Sequence, residues 1–206
     1  MSGYQKNVFI NCPFDKEYLS LLHPLLFTII RIGFNPRLAL ERLDSGEPRF
    51  SKICKLISQC KYGIHDLSRI KASRSGEYYR LNMPFELGLD VGARVFNRRK
   101  HRLKRCLILE KERYRFQVAI SDLSNSDIKR HNDKAVNVVT ATRNWFAENG
   151  LRRIPSASSI WYSFNDFTTD FEEKRSKEGF SKRDLYDMPI TEIMWHMKAW
   201  NQKNGH

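Results

Sequence analysis

The strongest candidate for chemistry in this sequence is a carboxylate, Glu86, which lies among apolar neighbours: Met83, Pro84, Phe85 and Leu87. We expect Glu86 in the first turn of a helix, where the helix dipole favours the ionised form. An ionised acid in apolar surroundings would hydrogen-bond sugar hydroxyls and stabilise positive charge that develops on a ribosyl ring. A glutamate at this position also has a simpler interpretation, a favourable charge at a helix end. The residues alone leave both interpretations open.

Glu86 belongs to a group of polar loops that we expect at one edge of a sheet. In an open parallel sheet, ligands bind beyond the carboxyl ends of the strands, where the strand order reverses. The loops at this edge of the predicted sheet are residues 11–15, 44–46, 66–69 and 82–86. They supply the candidates for substrate contact: Asn11, Phe14, Asp66, Ser68, Arg69 and Asn82.

Several other chemistries lack their motifs. Neither GxGxxG nor GxxxxGK[ST] is present, which argues against a Rossmann redox enzyme and a P-loop NTPase. HExxH and GxSxG are also absent, so metal hydrolysis and triad chemistry have no support. Four cysteines form no CxxC pair, and we expect reduced thiols, with neither a zinc site nor a disulfide.

Strands and helices alternate in the first part of the chain. Short apolar runs predict strands at 7–12, 35–40, 62–66 and 106–109. The second should lie at a sheet edge because it contains Pro36. This alternation predicts an α/β fold, a flavodoxin-like parallel sheet of about four to five strands with flanking helices.

Three helices are predicted between these strands. The first runs from 16 to 32, where Pro24 should kink it or split it. The second carries an apolar stripe: Phe50, Ile53, Cys54 and Ile57. The third runs from Asn82, the expected cap, to about residue 96, and its Gly88 and Gly92 should bring the backbone close to the sheet. The charged segment 70–81 is predicted to be a mobile loop.

The rest of the chain is predicted to be helical. Three apolar stripes at helical spacing begin near residues 135, 160 and 190. We expect these helices to pack on the sheet or on a second copy of the protein. The sequence therefore predicts an α/β domain at 1–125 and a helical extension at 126–206.

Composition and charge indicate where the protein is located and which partners it can bind. The 206 residues include no apolar stretch fit to cross a membrane, and we expect a cytoplasmic protein. The formal charge of +13 favours nucleic acid, acidic proteins or phosphorylated small molecules. Seven basic residues and no acid lie between Arg94 and Arg105, as either a solvated loop or a contact for polyanions.

Three runs resemble one protein superfamily. YGIHDLSR (62–69), NMPFELG (82–88) and VFINCPF (8–14) are similar to the core of the bacterial nucleoside 2-deoxyribosyltransferase-like and Toll/interleukin receptor (TIR)-like superfamily. The resemblance covers residues 6–110 and implies that Glu86 is the catalytic glutamate. It also implies that Asp66 closes the third strand and that Asn11 and Phe14 line a nucleobase or ribose pocket.

The resemblance implies cleavage of an N-glycosidic bond. NAD fits best as the substrate, not as a cofactor, because nicotinamide leaves as a neutral molecule and one carboxylate can suffice. Asp66 would orient the ribose or a loop amide, and Arg69 would contact the pyrophosphate. The family further implies an antiphage role and a homo-oligomer that gates activity, with the oligomer surface near Trp161, Trp195 and Trp200.

Two other functions stay open. One is nucleoside 2-deoxyribosyl transfer, although Asn82–Phe85 departs from the small residues of the transferase pattern. The other is a non-catalytic module that binds nucleic acid or a partner protein through the basic segment and the C-terminal helices.

Overall fold

Five parallel strands form one sheet in the order β2–β1–β3–β4–β5. The computed structural model describes residues 3–41, 44–70, 81–112, 120–123 and 126–205. The strands are β1 (Asn7–Asn11), β2 (Asn35–Arg37), β3 (Tyr62–Asp66), β4 (Arg105–Glu110) and β5 (Ile128–Arg130). This order and the flanking helices confirm the predicted flavodoxin-like α/β fold. β2, which contains Pro36, lies at the sheet edge as expected.

Helices connect the strands and continue after the sheet. They are α1 (Gly3–Lys6), α2 (Leu19–Arg31), α3 (Arg49–Ser58), α4 (Asn82–Phe96), α5 (Arg98–His101), α6 (Ala135–Glu148), α7 (Ala157–Lys177), α8 (Lys182–Tyr186) and α9 (Ile190–Asn204). The predicted split of the first helix at Pro24 does not occur, because α2 runs unbroken across it. The apolar face of α2, buried in the core, holds the helix together there.

The core lies on both faces of the sheet. Val8 and Ile10 of β1 pack in one large cluster with α2, α6, α7 and α9. Phe9, which points to the opposite face, packs in a second cluster with Ile53 and Ile57 of α3. A strand covered on both faces must be apolar throughout, which is why the run after Asn7 has no alternation.

The sheet extends past residue 125, where the sequence placed the end of the α/β domain. β5 lies at residues 128–130 and pairs with β4. The helices that follow share the core of the sheet, so the C-terminal part packs on the sheet as expected. In the described part of the chain, no helix combines the length and apolar character needed to span a membrane.

Two glycines were wrongly predicted to bring α4 close to the sheet. A Cβ added at Gly88 would meet only open space, and one at Gly92 would contact the side chain of Phe96. The close approach is instead at Gly63 of β3, where an added Cβ would collide with the carboxylate of Asp90 from α4. The loop predicted at 70–81 falls on positions 71–80, which lie outside the described residues.

Candidate functional site

Asn11 joins the end of β1 to the start of α4. It is buried, and its Nδ2 donates to the Met83 carbonyl oxygen at 2.8 Å and to His65 Nδ1 at 3.0 Å. Both amide hydrogens are therefore used, and His65 carries its ring proton on Nε2. Asn11 Oδ1 is buried without a partner among the described residues. The first turn of α4 is thus held against the carboxyl end of the sheet, where a ligand site is expected.

Glu86 lies in the second turn of α4, one turn later than predicted. Glu86 is 5% exposed. Its cationic partner within the described chain is Arg49, whose Nη2 lies 3.9 Å from Glu86 Oε1. Burial raises the pKa of Glu86 to about 7, although the charge of Arg49 opposes the rise. Loss of hydration therefore favours the neutral form of Glu86, whereas the sequence predicted a helix dipole that favours the ionised form. A group that titrates near neutral pH can carry or release a proton under ordinary conditions.

Asp90 lies one turn beyond Glu86 on the same buried face of α4. Its Oδ2 accepts from His65 Nε2 at 3.0 Å, and its Oδ1 lies 2.8 Å from Lys104 Nζ. Burial would raise the pKa of Asp90, but the hydrogen bond from His65 and the charge of Lys104 lower it to about 2. Asp90 is therefore a permanently ionised member of a buried, charge-balanced network. Lys104 also donates to the Ile57 carbonyl at the end of α3, at 2.9 Å.

His65, Asp90 and Cys106 are the described residues that are grouped closely enough to hold a metal ion. Their potential ligand atoms lie within 4.8 Å of one another. The ammonium of Lys104 already neutralises Asp90 from 2.8 Å, so a divalent cation there would lie against a buried positive charge. We therefore interpret the cluster as structural.

Asp66 lies at the end of β3, as predicted, and its carboxylate is fully engaged. Oδ1 accepts from the Ser68 backbone N–H at 2.8 Å and from its hydroxyl, and Oδ2 accepts from the Tyr18 hydroxyl and lies 3.1 Å from His131 Nε2. Burial would raise the pKa of Asp66, but hydrogen bonds from His131, Ser68 and Tyr18 lower it. Asp66 therefore fixes the loop after β3 and binds it to the end of β5.

The charges of Asp66 and Glu86 both affect the pKa of the buried Cys12 thiol. Burial raises the pKa of Cys12 well above its usual value, and the charges of Asp66 and Glu86 raise it further. The loop after β1 therefore lies within electrostatic reach of both acids.

Arg69 is engaged by two acids of the first loop. Its Nη2 lies 3.0 Å from Glu17 Oε2 and 3.5 Å from Asp15 Oδ1. These contacts use one guanidinium nitrogen of a side chain that is 40% exposed, and contact of Arg69 with a pyrophosphate stays a prediction.

Phe14 and Asn82 have different environments from those of the buried acids. Phe14 is half-buried and packs against the large core cluster. Asn82 is exposed and is the first residue of α4, while Leu81 occupies the cap position without a side-chain hydrogen bond. The prediction that Asn82 caps the helix is wrong, because Leu81 already has helical backbone angles and Asn82 follows it inside the first turn.

The basic segment divides into exposed and buried charges. Exposed side chains are those of Arg94, Arg99, Lys100, Arg102 and Arg105. Lys104 is fully buried and is therefore wrongly included in a surface for polyanions. The side chain of Arg98 lies outside the described residues.

Two aromatic residues beside Glu86 were not predicted as site residues. Phe50 was expected in the apolar face of α3, but it is 56% exposed, as is Phe85 of α4. Their ring centroids lie 6.1 Å apart. A signal was available in the sequence, since Phe85 directly precedes Glu86 and Phe50 follows Arg49, but only tertiary structure brings the two pairs together.

Cavities bounded by described residues lie elsewhere in the fold. One of about 780 Å³ lies among the C-terminal helices, around Phe167 and Ile193. Another, of about 560 Å³, lies beside β4 and includes Leu87 and Trp145.

Comparisons with known proteins do not assign this chain to a family. No protein-family model matches the chain, and no curated protein matches it.

Proposed function

We propose that the protein hydrolyses the bond between nicotinamide and ribose in NAD, with Glu86 as the reacting carboxylate. The observation that carries the proposal is a buried acid with one cation at 3.9 Å and a pKa of about 7. Carboxyl groups perturbed by burial in this way concentrate at functional sites. The resemblance of residues 62–69 and 82–88 to the TIR-like superfamily supplies the substrate class.

The reaction needs little beyond one well-placed acid. The bond between ribose C1′ and the nicotinamide nitrogen breaks, and its electron pair passes to the ring nitrogen, which leaves neutral. Most glycosidases need two carboxyl groups, one of them to protonate the leaving group. Here Glu86 stabilises the oxocarbenium-like ribosyl ring or forms a transient ester with it. Water then adds to C1′ and releases a proton, and where the ester has formed, its bond from C1′ to the Glu86 oxygen breaks and restores the carboxylate, which gives ADP-ribose.

The other site residues serve this chemistry mainly by holding backbone. Asn11 fixes the carbonyl of Met83 at the start of α4, and Asp66 orients the backbone N–H of Ser68. These contacts support the predicted role of Asp66 in orienting a loop amide. Phe14, Ser68, Arg69 and Asn82 stay predicted substrate contacts.

Self-association and antiphage defence belong to the same proposal, on the strength of the resemblance. Trp195 of α9 is 64% exposed and offers an apolar contact to a second copy. Trp161 and Trp200 instead pack against the core. Light scattering of the protein and of a Trp195→Glu variant tests this surface: a smaller particle for the variant supports it, and equal sizes reject it.

The central experiment measures nicotinamide release from NAD by the purified full chain, by Glu86→Gln and by the matched control Glu173→Gln, an exposed acid on α7. We expect loss of at least 100-fold in kcat for Glu86→Gln, in line with removal of transition-state charge stabilisation, and no change for the control. Equal turnover by all three proteins rejects Glu86 as the reacting group.

The same preparations separate the alternatives. Transfer of deoxyribose between free bases, without NAD cleavage, indicates the transferase. Salt-sensitive binding to DNA that survives Glu86→Gln, without either activity, indicates a module that binds polyanions through the exposed basic side chains.

A further inference from the structure

Two neighbouring pairs of residues face each other across α3 and α4. Arg49 and Phe50 begin α3, and Phe85 and Glu86 lie together in α4. The cation of one pair lies 3.9 Å from the acid of the other, and the two phenylalanine rings have centroids 6.1 Å apart with an interplanar angle of 34°. An aromatic pair and an ion pair therefore lie side by side.

Both rings are exposed to solvent although they lie beside buried residues. Phe50 and Phe85 are each 56% exposed, whereas the neighbouring Ile53 and Ile57 of α3 are buried. Single exposed apolar side chains need no explanation, but two in contact beside a buried carboxylate mark a surface for a ligand. The adjacent charges favour a ligand that is both planar and anionic.

We propose that Phe50 and Phe85 form a stacking platform for the planar ring of a nucleotide and that Arg49 binds its phosphate. This inference rests on the proposed function, because it assigns the base and phosphate contacts of the same site. A ring placed between two others needs about 7 Å between them, twice the contact distance of carbon atoms. At 6.1 Å the pair is too narrow for this, so the ring stacks on the outer, solvent-facing side of the platform.

Arg49 is suited to the phosphate because its charge is only loosely held. Its side chain is 52% exposed, and 3.9 Å from Glu86 Oε1 is longer than a hydrogen-bonded ion pair. Arg69, the cation that the sequence favoured for this role, lies 3.0 Å from Glu17. Arg49 can therefore turn from Glu86 to a phosphate oxygen and leave the carboxylate to the ribose.

The test measures binding without turnover, in the Glu86→Gln full chain, by calorimetry with AMP and, separately, with nicotinamide mononucleotide. We expect Phe85→Ala and Phe50→Ala to weaken binding of at least one nucleotide by about tenfold, as loss of a stacking aromatic does. Arg49→Ala should weaken it about tenfold and reduce its dependence on salt. The nucleotide whose affinity falls identifies the ring that stacks.

Phe96→Ala is the matched control, since Phe96 is 88% exposed at the other end of α4. It should bind like the parent. Equal affinities for Phe85→Ala, Phe50→Ala and Phe96→Ala overturn the platform, as does absence of nucleotide binding by the parent.

Failure of this inference and failure of the proposed function give different results. Nucleotide binding that depends on Phe85 and Phe50, in a wild-type chain that cleaves no NAD, supports the platform and rejects the NADase. NAD cleavage with an unchanged KM in Phe85→Ala and Phe50→Ala supports the NADase and rejects the platform.

Discussion

Glu86 and Asp90 lie one turn apart on the same buried face of α4, and only Asp90 is neutralised. Asp90 lies 2.8 Å from the ammonium of Lys104 and accepts a hydrogen bond from His65, whereas the cation nearest to Glu86 in the described chain is Arg49, at 3.9 Å. The pKa of Asp90 is lowered to about 2 and that of Glu86 is raised to about 7. Two acids in one helix thus have pKa values shifted in opposite directions because of their partners, and such a divergence is typical of sites that use an acid and a base.

The pKa of Glu86 predicts the pH dependence of the proposed NAD cleavage. The reaction needs the ionised carboxylate, and the pKa of about 7 means that Glu86 is protonated in acid. We expect kcat/KM to fall about tenfold for each pH unit below 7 and to level off above it. Initial rates from pH 5.5 to 9 check this. A rate that is flat across pH 7, in a protein that remains folded, contradicts the role of Glu86.

The same shift predicts that Glu86→Gln stabilises the protein. The pKa is raised in the folded state from its usual 4.5 to about 7, so the unfolded chain loses this proton first as the pH rises. Stability is therefore lost between about pH 4.5 and 7 and stays lost above. The difference between these two pKa values corresponds to roughly 3 kcal/mol of unfolding free energy at most.

We expect Glu86→Gln to raise the free energy of unfolding by up to about 3 kcal/mol at pH 8 and to change it little at pH 5. Urea denaturation at both pH values measures this. Asp90→Asn serves as the opposite control, since it removes a paired charge and should destabilise. If Glu86→Gln is less stable than the parent at pH 8, the folded protein does not bury an unneutralised charge at Glu86.

The first four strands and α4 were predictable because their signals are local, whereas β5 was not predicted. β3 has the predicted bounds at Tyr62–Asp66, and α4 has the predicted bounds at residues 82–96. A buried strand reads as an uninterrupted apolar run whatever it packs against, and Pro36 excludes a central strand on its own.

The partners of the buried acids were not predictable, because they come from distant positions. Lys104 lies within a run of basic residues, and nothing nearby distinguishes it from Lys100, which is exposed. Its burial follows from β4 entering the sheet beside β3, which brings it to Asp90 and to the end of α3. His131 likewise reaches Asp66 only because β5 joins the sheet.

Among the described basic side chains from Arg94 to Arg105, Lys104 is the one whose loss we expect to destabilise the fold. Lys104→Met leaves Asp90 buried beside a neutral chain, which should cost about 3–5 kcal/mol of unfolding free energy. Lys100→Met, at an exposed position, should change it by less than about 0.5 kcal/mol. Chemical denaturation compares the two.

A double variant isolates the interaction from the loss of packing. Asp90→Asn combined with Lys104→Met should cost less than the sum of the two single changes, because the second substitution removes the unpaired charge. Additive losses show that Asp90 and Lys104 do not stabilise each other.

Gly63 and Gly88 have opposite surroundings, and this contrast gives a further prediction. A Cβ at Gly63 would collide with the Asp90 carboxylate and lie 2.8 Å from His65 Nε2, whereas one at Gly88 would meet nothing within 4 Å. Gly63→Ala should therefore destabilise by about 2 kcal/mol, since the network cannot move without breaking its hydrogen bonds. Gly88→Ala should stabilise by about 1 kcal/mol, because alanine is the better helix former.

Thermal and urea denaturation of both variants test this contrast. The sign of each effect matters more than its size, because both substitutions add the same methyl group and differ only in surroundings. A Gly63→Ala variant as stable as the parent means that α4 does not approach β3 through Asp90.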